Sequence, residues 1–452
     1  MQPLKSYLGT LSWQRVAKPA ALWAGVIALA CLAIFLFLPD AYLDGFLKGR
    51  ITRALEEAYP AYSIEIAGLH YTILENKLEC DSLALMKIDS TFLCRLSKFS
   101  VSGIGRMQLL WGGGVKPDNL VSSDAEAEDI VLAFPGPGYE LRCARLGVSV
   151  PDSEVVVDDL ELRPVGGDEQ FFNMSRFSRT RFHLTVPHFL LKGSACISML
   201  NGEIQYARIA QIQEPVLDVL IDNDKGTARD SVRLVMPNEL LSSIAHTIQL
   251  DSLIVMDGQV NYGERYAAGS KPARLTFDHV HIRAAVASPH RDSIEVRAEG
   301  TLMDAGAMKA VLLIPIASPE FTFQYSGSLG EMDLSVLNPY LEVAQHKRFK
   351  TGVLHSLLFD IKVVEGVARG SVRAAYKDLK IVSINDEGSE SGVGNTIVNI
   401  IANNVKLRTS NLPDDHGSMK VGAVKYSRAH GDAFFAFAWF ALRSGLGDIV
   451  GF

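Results

Sequence analysis

The stretch Ala20–Leu38, AALWAGVIALACLAIFLFL, carries no charge and no strongly polar group. About 20 apolar residues in helix cross the hydrocarbon core of a bilayer, and Pro19 and Pro39 bracket this run. It is longer than the roughly 7–15-residue apolar segment of a cleaved signal peptide, and Pro39-Asp40-Ala41-Tyr42 is a poor cleavage site. Ala28-Leu29-Ala30-Cys31 hints at a lipoprotein signal, but seven apolar residues follow Cys31 and place its thiol in mid-membrane. A buried core helix is a further alternative, although apolar surface on every side suits lipid better. The expectation is a cytoplasmic tail at 1–18 and a retained transmembrane helix at 19–39. Lys5, Arg15 and Lys18 precede the span and Lys48, Arg50 and Arg53 follow it, so the Lys and Arg count alone is balanced. The short tail is placed inside, because its staying in costs least, with the bulk of the chain exported.

From 40 to 60 the pattern predicts an amphipathic stalk helix, with Leu43, Phe46, Leu47, Ile51, Ala54, Leu55 and Ala58 at three- and four-residue steps. Pro60 ends it. From Tyr62 onward the period changes to two. Ser63–Ile66, Leu78–Leu85, Phe99–Val101, Glu154–Leu162, Phe182–Val186, Gly202–Ile212 and Val216–Ile221 are short runs, most of them bounded by Gly, Pro, Asn or Asp. That is the mark of many antiparallel strands. Pro135–Gly138 reads as a turn, the acidic run Asp124–Asp129 as a solvated loop, and Gly166–Arg181 as a long irregular loop. Asp257-Gly258 reads as the turn of a hairpin between Leu250–Met256 and Gln259–Tyr262.

In Arg274–Val286, Leu275 and Phe277 alternate, and then Val280, Ile282, Ala284 and Val286 alternate in the opposite phase. The slip at Asp278–His279 suits a β-bulge. Leu334–Gln345 reads as a short helix, Glu365-Gly366 as a turn, Asn395–Asn404 as a short helix or apolar strand, and Asp432–Val450 as a helix. This places an N-terminal β region at 61–240, a C-terminal β region at 241–430 and an apolar helix at 431–452.

The fold class expected is therefore mainly β: an N-terminal transmembrane helix, an elongated, curved, groove-like antiparallel sheet, short helices and a C-terminal apolar helix. Residues 62–425 would supply about 30 strands and, at about 4.8 Å per strand, a single-file sheet on the order of 140 Å long. Several compact sandwiches are the alternative. The apolar faces of a single-file sheet would merge into a trough, lined by Phe277, Ile282, Ile294, Val296, Phe321, Phe323, Tyr325, Phe359 and Ile361. In the last helix, Phe434, Phe435, Phe437, Trp439 and Phe440 either plug the end of the sheet or rest on a second membrane or a partner.

Chemistry is harder to find. A net charge of −7 argues against a phosphate-tracking nucleic-acid surface. No Gly-x-Ser-x-Gly, His-Glu-x-x-His or P-loop motif is present, and Gly392-Val393-Gly394 lacks the rest of a dinucleotide fingerprint. His279 and His281 read as an exposed or hydrogen-bonded pair, and Asp222-Asn223-Asp224 as a turn without the glutamate of a calcium loop. Cys80, Cys94, Cys143 and Cys196 form no C-x-x-C pair and read as buried free thiols. No enzyme, cofactor or metal is expected.

Several segments, taken in order, carry a resemblance. They are Glu214–Val219, Gly327-x-Leu329-Gly330-x-Met332-Asp333-Leu334-x-x-Leu337-Asn338-Pro339-Tyr340-Leu341, Thr351–Leu354, Phe359–Ile361, Gly366-x-Ala368-x-Gly370, Tyr376–Ile381 and Tyr426-Ser427-Arg428 with Trp439 and Gly445-Leu446. With the N-terminal span and Ile64-x-Ile66, the chain resembles the shorter members of the AsmA-like family of Gram-negative envelope proteins. The resemblance implies an inner-membrane anchor, a periplasmic groove-like β fold and a part in outer-membrane biogenesis, with phospholipid acyl chains as cargo. It carries no catalytic residues. A non-transporting scaffold that regulates outer-membrane protein assembly, with an envelope protein as partner, is the alternative.

Overall fold

The computed structural model describes residues 48–49, 52–53, 56, 60–72, 75–104, 120–196, 205–226, 248–285, 293–315, 321–385, 408–429 and 434–451. The expected transmembrane helix, the Gly392–Gly394 segment and Asn395–Asn404 lie outside the described residues. Among the described residues no helix is long and apolar enough to cross a membrane. Of the expected stalk, Lys48, Gly49, Thr52, Arg53 and Glu56 are described, and they are helical.

The molecule is mainly β, and among the described residues nineteen strands form one sheet. The first eight are β1 (Tyr62–Thr72), β2 (Lys77–Lys87), β3 (Leu93–Leu96), β4 (Lys98–Ser102), β5 (Asp124–Phe134), β6 (Tyr139–Ser149), β7 (Glu154–Pro164) and β8 (Thr180–Lys192). They are followed by β9 (Gln205–Gln213), β10 (Val216–Asp222), β11 (Ile248–Arg265), β12 (Ala273–Ala285), β13 (Ser293–Leu302) and β14 (Gly306–Pro315). The last are β15 (Phe323–Leu329), β16 (Met332–Asp333), β17 (Lys347–Val364), β18 (Val367–Ser383) and β19 (Val421–Ser427). Three helices are named here: α1 (Asp168–Asn173), α2 (Asn338–Gln345) and α3 (Phe434–Val450).

Pairing follows chain order. β1 pairs with β2, β2 with both β3 and β4, and these two with β5. β5 to β8 follow as antiparallel neighbours. β9 and β10 lie end to end beside β8, and both run parallel to β11. From β11 the antiparallel order resumes through β15, β17 and β18 to β19, with β16 extending the β15 position along β17. Among the described residues β1 pairs only with β2 and β19 only with β18, so no described strand joins the two ends of the sheet. Strands that lie end to end share a position, which leaves roughly sixteen positions and a length on the order of 70 Å at about 4.8 Å each. That is half the length expected from the sequence. Several strands are too long for about 30 of them to fit into this length of chain: β11 and β17 have 18 residues and β18 has 17.

A line of irregular residues crosses the sheet. Gly68, Asp129, Asp159, Glu214, Asp257 and His279 carry φ between 49° and 57°. Gly68 faces Asp81, between the pairs Ala67↔Ser82 and Leu69↔Cys80. Ser97, between β3 and β4, donates its hydroxyl to Asp129 at 2.7 Å. Glu214, between β9 and β10, donates its amide to Met256 at 2.8 Å, next to Asp257. Asp257 in turn meets His279 at 2.8 Å. Left-handed backbone within a strand makes a bulge, which bends the strand and adds twist, and Asp, Asn and His tolerate that conformation better than most residues.

The slip read at Asp278–His279 is this bulge: pairing shifts between Asp278 and His281. The Asp257-Gly258 hairpin is corrected. Ile248–Arg265 is one strand, and Asp257 uses its positive φ for a bulge because partners continue on both sides of it. The acidic run is also corrected: Asp124–Asp129 is strand, with Ala125 and Ala127 turned to one face and paired with Val148 and Leu146. Within Gly166–Arg181, Asp168–Asn173 is helix α1, seated by the fully buried Phe171 and Phe172. Glu365-Gly366 turns the chain between β17 and β18 as read, with φ of 51° and 76°. Leu334–Gln345 folds as a 3-10 turn followed by α2. The boundary assigned at 240 lies outside the described residues, and β9 and β10 pair with β11 across it.

Candidate functional site

Strand alternation puts an apolar residue on one face at every second position; the register decides whether those positions meet. They do. Starting from β5, direct partners run Ala125, Val148, Val155, Leu191, Ala210, Leu253, Ala284, Val296, Leu312, Tyr325, Ile361, Gly370 and Val424. A second row runs Ala127, Leu146, Val157, Phe189, Ile212, Val255, Ile282, Ala298, Ala310, Gly327, Phe359, Val372 and Gly422. Beyond the bulges a third row runs Leu132, Leu141, Leu162, Leu184, Leu217, Val260, Phe277 and Leu302. No position in these rows carries a charge.

The nine residues read as lining fall on this surface. Val296, Tyr325 and Ile361 stand in the first row, Ile282 and Phe359 in the second, and Phe277 in the third. Ile294 and Phe323 lie two residues along the same face from Val296 and Tyr325. Phe321 precedes β15, with its ring 5.0 Å from that of Phe323.

Coverage differs along the surface. From Leu132 to Phe277 every member of the third row is half-buried. At the C-terminal end Ile361, Val363 and Val372 are fully buried beneath α3. Phe437 of α3 is fully buried, with its ring 5.0 Å from Phe321 and 5.5 Å from Tyr426. Phe434 lies 5.1 Å from Phe323, Phe440 lies 5.8 Å from Tyr426, and the Tyr325 hydroxyl donates to the Ala438 carbonyl at 2.8 Å. Phe434, Phe437 and Phe440 therefore pack against the sheet, as the plugging alternative expects. Trp439 is exposed, and the Phe435 side chain lies outside the described residues. The fit is close, since a Cβ on Gly422 would stand 2.0 Å from the Gly445 carbonyl. The helix also blocks the free edge of β19: Asp448 accepts the Ala423 amide at 2.9 Å and Ser444 accepts the Lys425 amide at 3.2 Å.

Polar side chains gather at the margins and on the opposite face. Arg265 donates to both carboxylate oxygens of the fully buried Asp222, at 3.1 and 3.3 Å, and lies 4.1 Å above the Phe172 ring. Positions 43 residues apart give no local sequence signal for this pair, and Asp222-Asn223-Asp224 by itself reads only as a turn. The Tyr262 and Tyr340 hydroxyls both donate to Glu264, tying α2 to β11. Burial, with the Glu264 charge next, pushes both hydroxyls above the usual phenol range, so they remain donors. On the opposite face, Arg145 links Glu126 and Asp158, and His188 meets Asp158 at 2.7 Å.

Cys80, Cys94, Cys143 and Cys196 are buried free thiols, as the spacing suggested. Burial raises the thiols of Cys80, Cys94 and Cys143 above their ordinary value. His279 bonds Asp257, while His281 accepts the Asp257 amide. Among the described residues no three His, Cys, Asp or Glu gather to hold a metal. The surface can shelter hydrocarbon, since each Å² of apolar area withdrawn from water contributes about 25 cal/mol. No protein-family model matches the chain, and no curated protein matches it.

Proposed function

We propose that the chain is a membrane-anchored envelope protein whose bent sheet forms an apolar trough that binds phospholipid and moves it between membranes. The observation that carries this reading is the unbroken apolar register from Ala125 to Val424. The bulges support the trough shape: a bend at the same level in successive strands stands the third row on one wall and the first two rows on the other. Acyl chains would lie along the half-buried part of the surface while head groups stay in water. Each buried CH₂ contributes about 0.8 kcal/mol, so neither covalent chemistry nor a cofactor is required. In this reading Ala20–Leu38 supplies the anchor, and the resemblance to AsmA-like proteins supports a periplasmic setting for the sheet.

The seating of Phe437 favours a second reading in part. Where α3 covers the surface, the sheet serves as a packed scaffold, and a scaffold could regulate outer-membrane protein assembly. Lipid extracted with the purified full chain separates the two. The native protein should retain more phospholipid by mass spectrometry than a Phe189→Asp, Phe277→Asp variant purified alongside it. Equal amounts would favour the scaffold.

A further inference from the structure

The last three strands have a second face, opposite the one that α3 covers. Register places Lys362, Arg369 and Lys425 side by side across β17, β18 and β19. Direct cross-strand partners stand about 4.5–5.5 Å apart, and like charges there repel. All three are exposed and none forms an ion pair among the described residues, although the Lys425 charge acts on the Asp448 carboxylate of α3. Arg373 adds a fourth cation four residues along the same face of β18. Asp360, the acid next to this cation row, accepts a hydrogen bond from Gln324 at 3.0 Å. In a chain of net charge −7 this is a local reversal of sign.

The same face carries aliphatic side chains where water would normally meet polar ones. Leu358, Val364, Val367 and Val421 are 38–49% exposed. Leu358 and Val421 flank Arg373 in register, and Val364 pairs with Val367 beside the cation row. Cations alone would suit any polyanion. Cations interleaved with exposed branched aliphatics suit a surface that is anionic outside and apolar just beneath.

We propose that the outward face of β17–β19 docks on an anionic phospholipid surface. Lys362, Arg369, Arg373 and Lys425 meet head-group phosphates, and Leu358, Val364, Val367 and Val421 enter the head-group layer. Juxtamembrane Lys and Arg contribute to such binding residue by residue, and the aliphatics add apolar burial. The surface is separate from the trough and stands or falls without it.

The test uses the full chain held in phosphatidylcholine nanodiscs, so that any membrane anchor is already occupied. Its co-flotation with vesicles of phosphatidylcholine, with or without phosphatidylglycerol, is then measured. The native protein should float only with phosphatidylglycerol and be released by salt. A Lys362→Glu, Arg369→Glu, Lys425→Glu variant should bind about 100-fold more weakly. A Lys362→Gln, Arg369→Gln, Lys425→Gln variant, which introduces no repulsion of its own, should fall in the same direction. Phe189→Asp, Phe277→Asp should float like the native chain, which distinguishes failure here from failure of the trough. Equal flotation with neutral vesicles, native-like flotation of both charge variants, or retention on heparin without vesicle binding would overturn the proposal.

Discussion

His279 Nδ1 stands 2.8 Å from Asp257 Oδ1, and these two residues hold left-handed backbone in adjacent strands. The pair sits at the C-terminal end of the line of bulges that begins at Gly68. At this level the apolar phase shifts in β12, from Phe277 to Ile282, and both residues still reach the same surface. The bulge therefore does two jobs, bending the strand and keeping one face apolar along its whole length.

Backbone conformation at Asp257 gives the first prediction. Asp257→Gly keeps φ near 52° accessible and should change stability by less than about 1 kcal/mol. Asp257→Val forces a β-branched residue into that region and should cost about 1–3 kcal/mol. Urea denaturation of the two variants, measured side by side, checks the ordering.

The partner histidine gives a pH signature. The hydrogen bond that the imidazole donates to the Asp257 carboxylate, and then the carboxylate's charge, raise the His279 imidazole above its ordinary value of 6.5. The link between β11 and β12 is then fully present below about pH 6.5 and is lost as pH rises through the elevated folded-state value. An NMR titration of His279 should give a midpoint above 6.5 that returns toward 6.5 in Asp257→Asn.

Asp222 and Arg265 predict a larger effect. Removing one member of a buried pair leaves the other charge uncompensated, which typically costs about 3–5 kcal/mol. Arg265→Ala should lower stability by that order, because the fully buried Asp222 loses its cation, and Asp222→Ala should cost less, because Arg265 keeps its bond to Glu169, whereas Asp124→Ala at an exposed strand end should stay within about 0.5 kcal/mol. Chemical denaturation monitored by tryptophan fluorescence and by circular dichroism checks both.

Phe437 tests the seating of α3. Truncating a fully buried phenylalanine costs about 3–5 kcal/mol. Phe437→Ala should loosen α3 and expose Phe321 and Phe323, read as faster amide exchange over 434–450 and in β19 with β1–β8 unchanged.

Much of this surface is legible in the sequence because alternation survives the bulges. Leu275 and Phe277, followed by Val280 and Ile282 in the opposite phase, announce both a strand and its irregularity. Asp257-Gly258 misleads because a hairpin turn and a bulge ask for the same positive φ, and only the neighbouring strands choose between them. Asp124–Asp129 misleads because alanines can supply an apolar face with little hydrophobic signal. The meeting of Leu191 with Ala210, or of Ala284 with Val296, depends on register between separate strands, which no local pattern contains. The basic face is hidden for the same reason, since Lys362, Arg369 and Lys425 become neighbours only through pairing.

Site-specific photocrosslinking to phospholipid tests the trough most directly. A benzoylphenylalanine placed at Phe189 or Phe277 faces the apolar surface, while one at Glu161 or Arg297 faces away from it. The trough predicts labelled phospholipid adducts at the first two positions and background at the other two. Background at all four, or equal labelling on both faces, would contradict it.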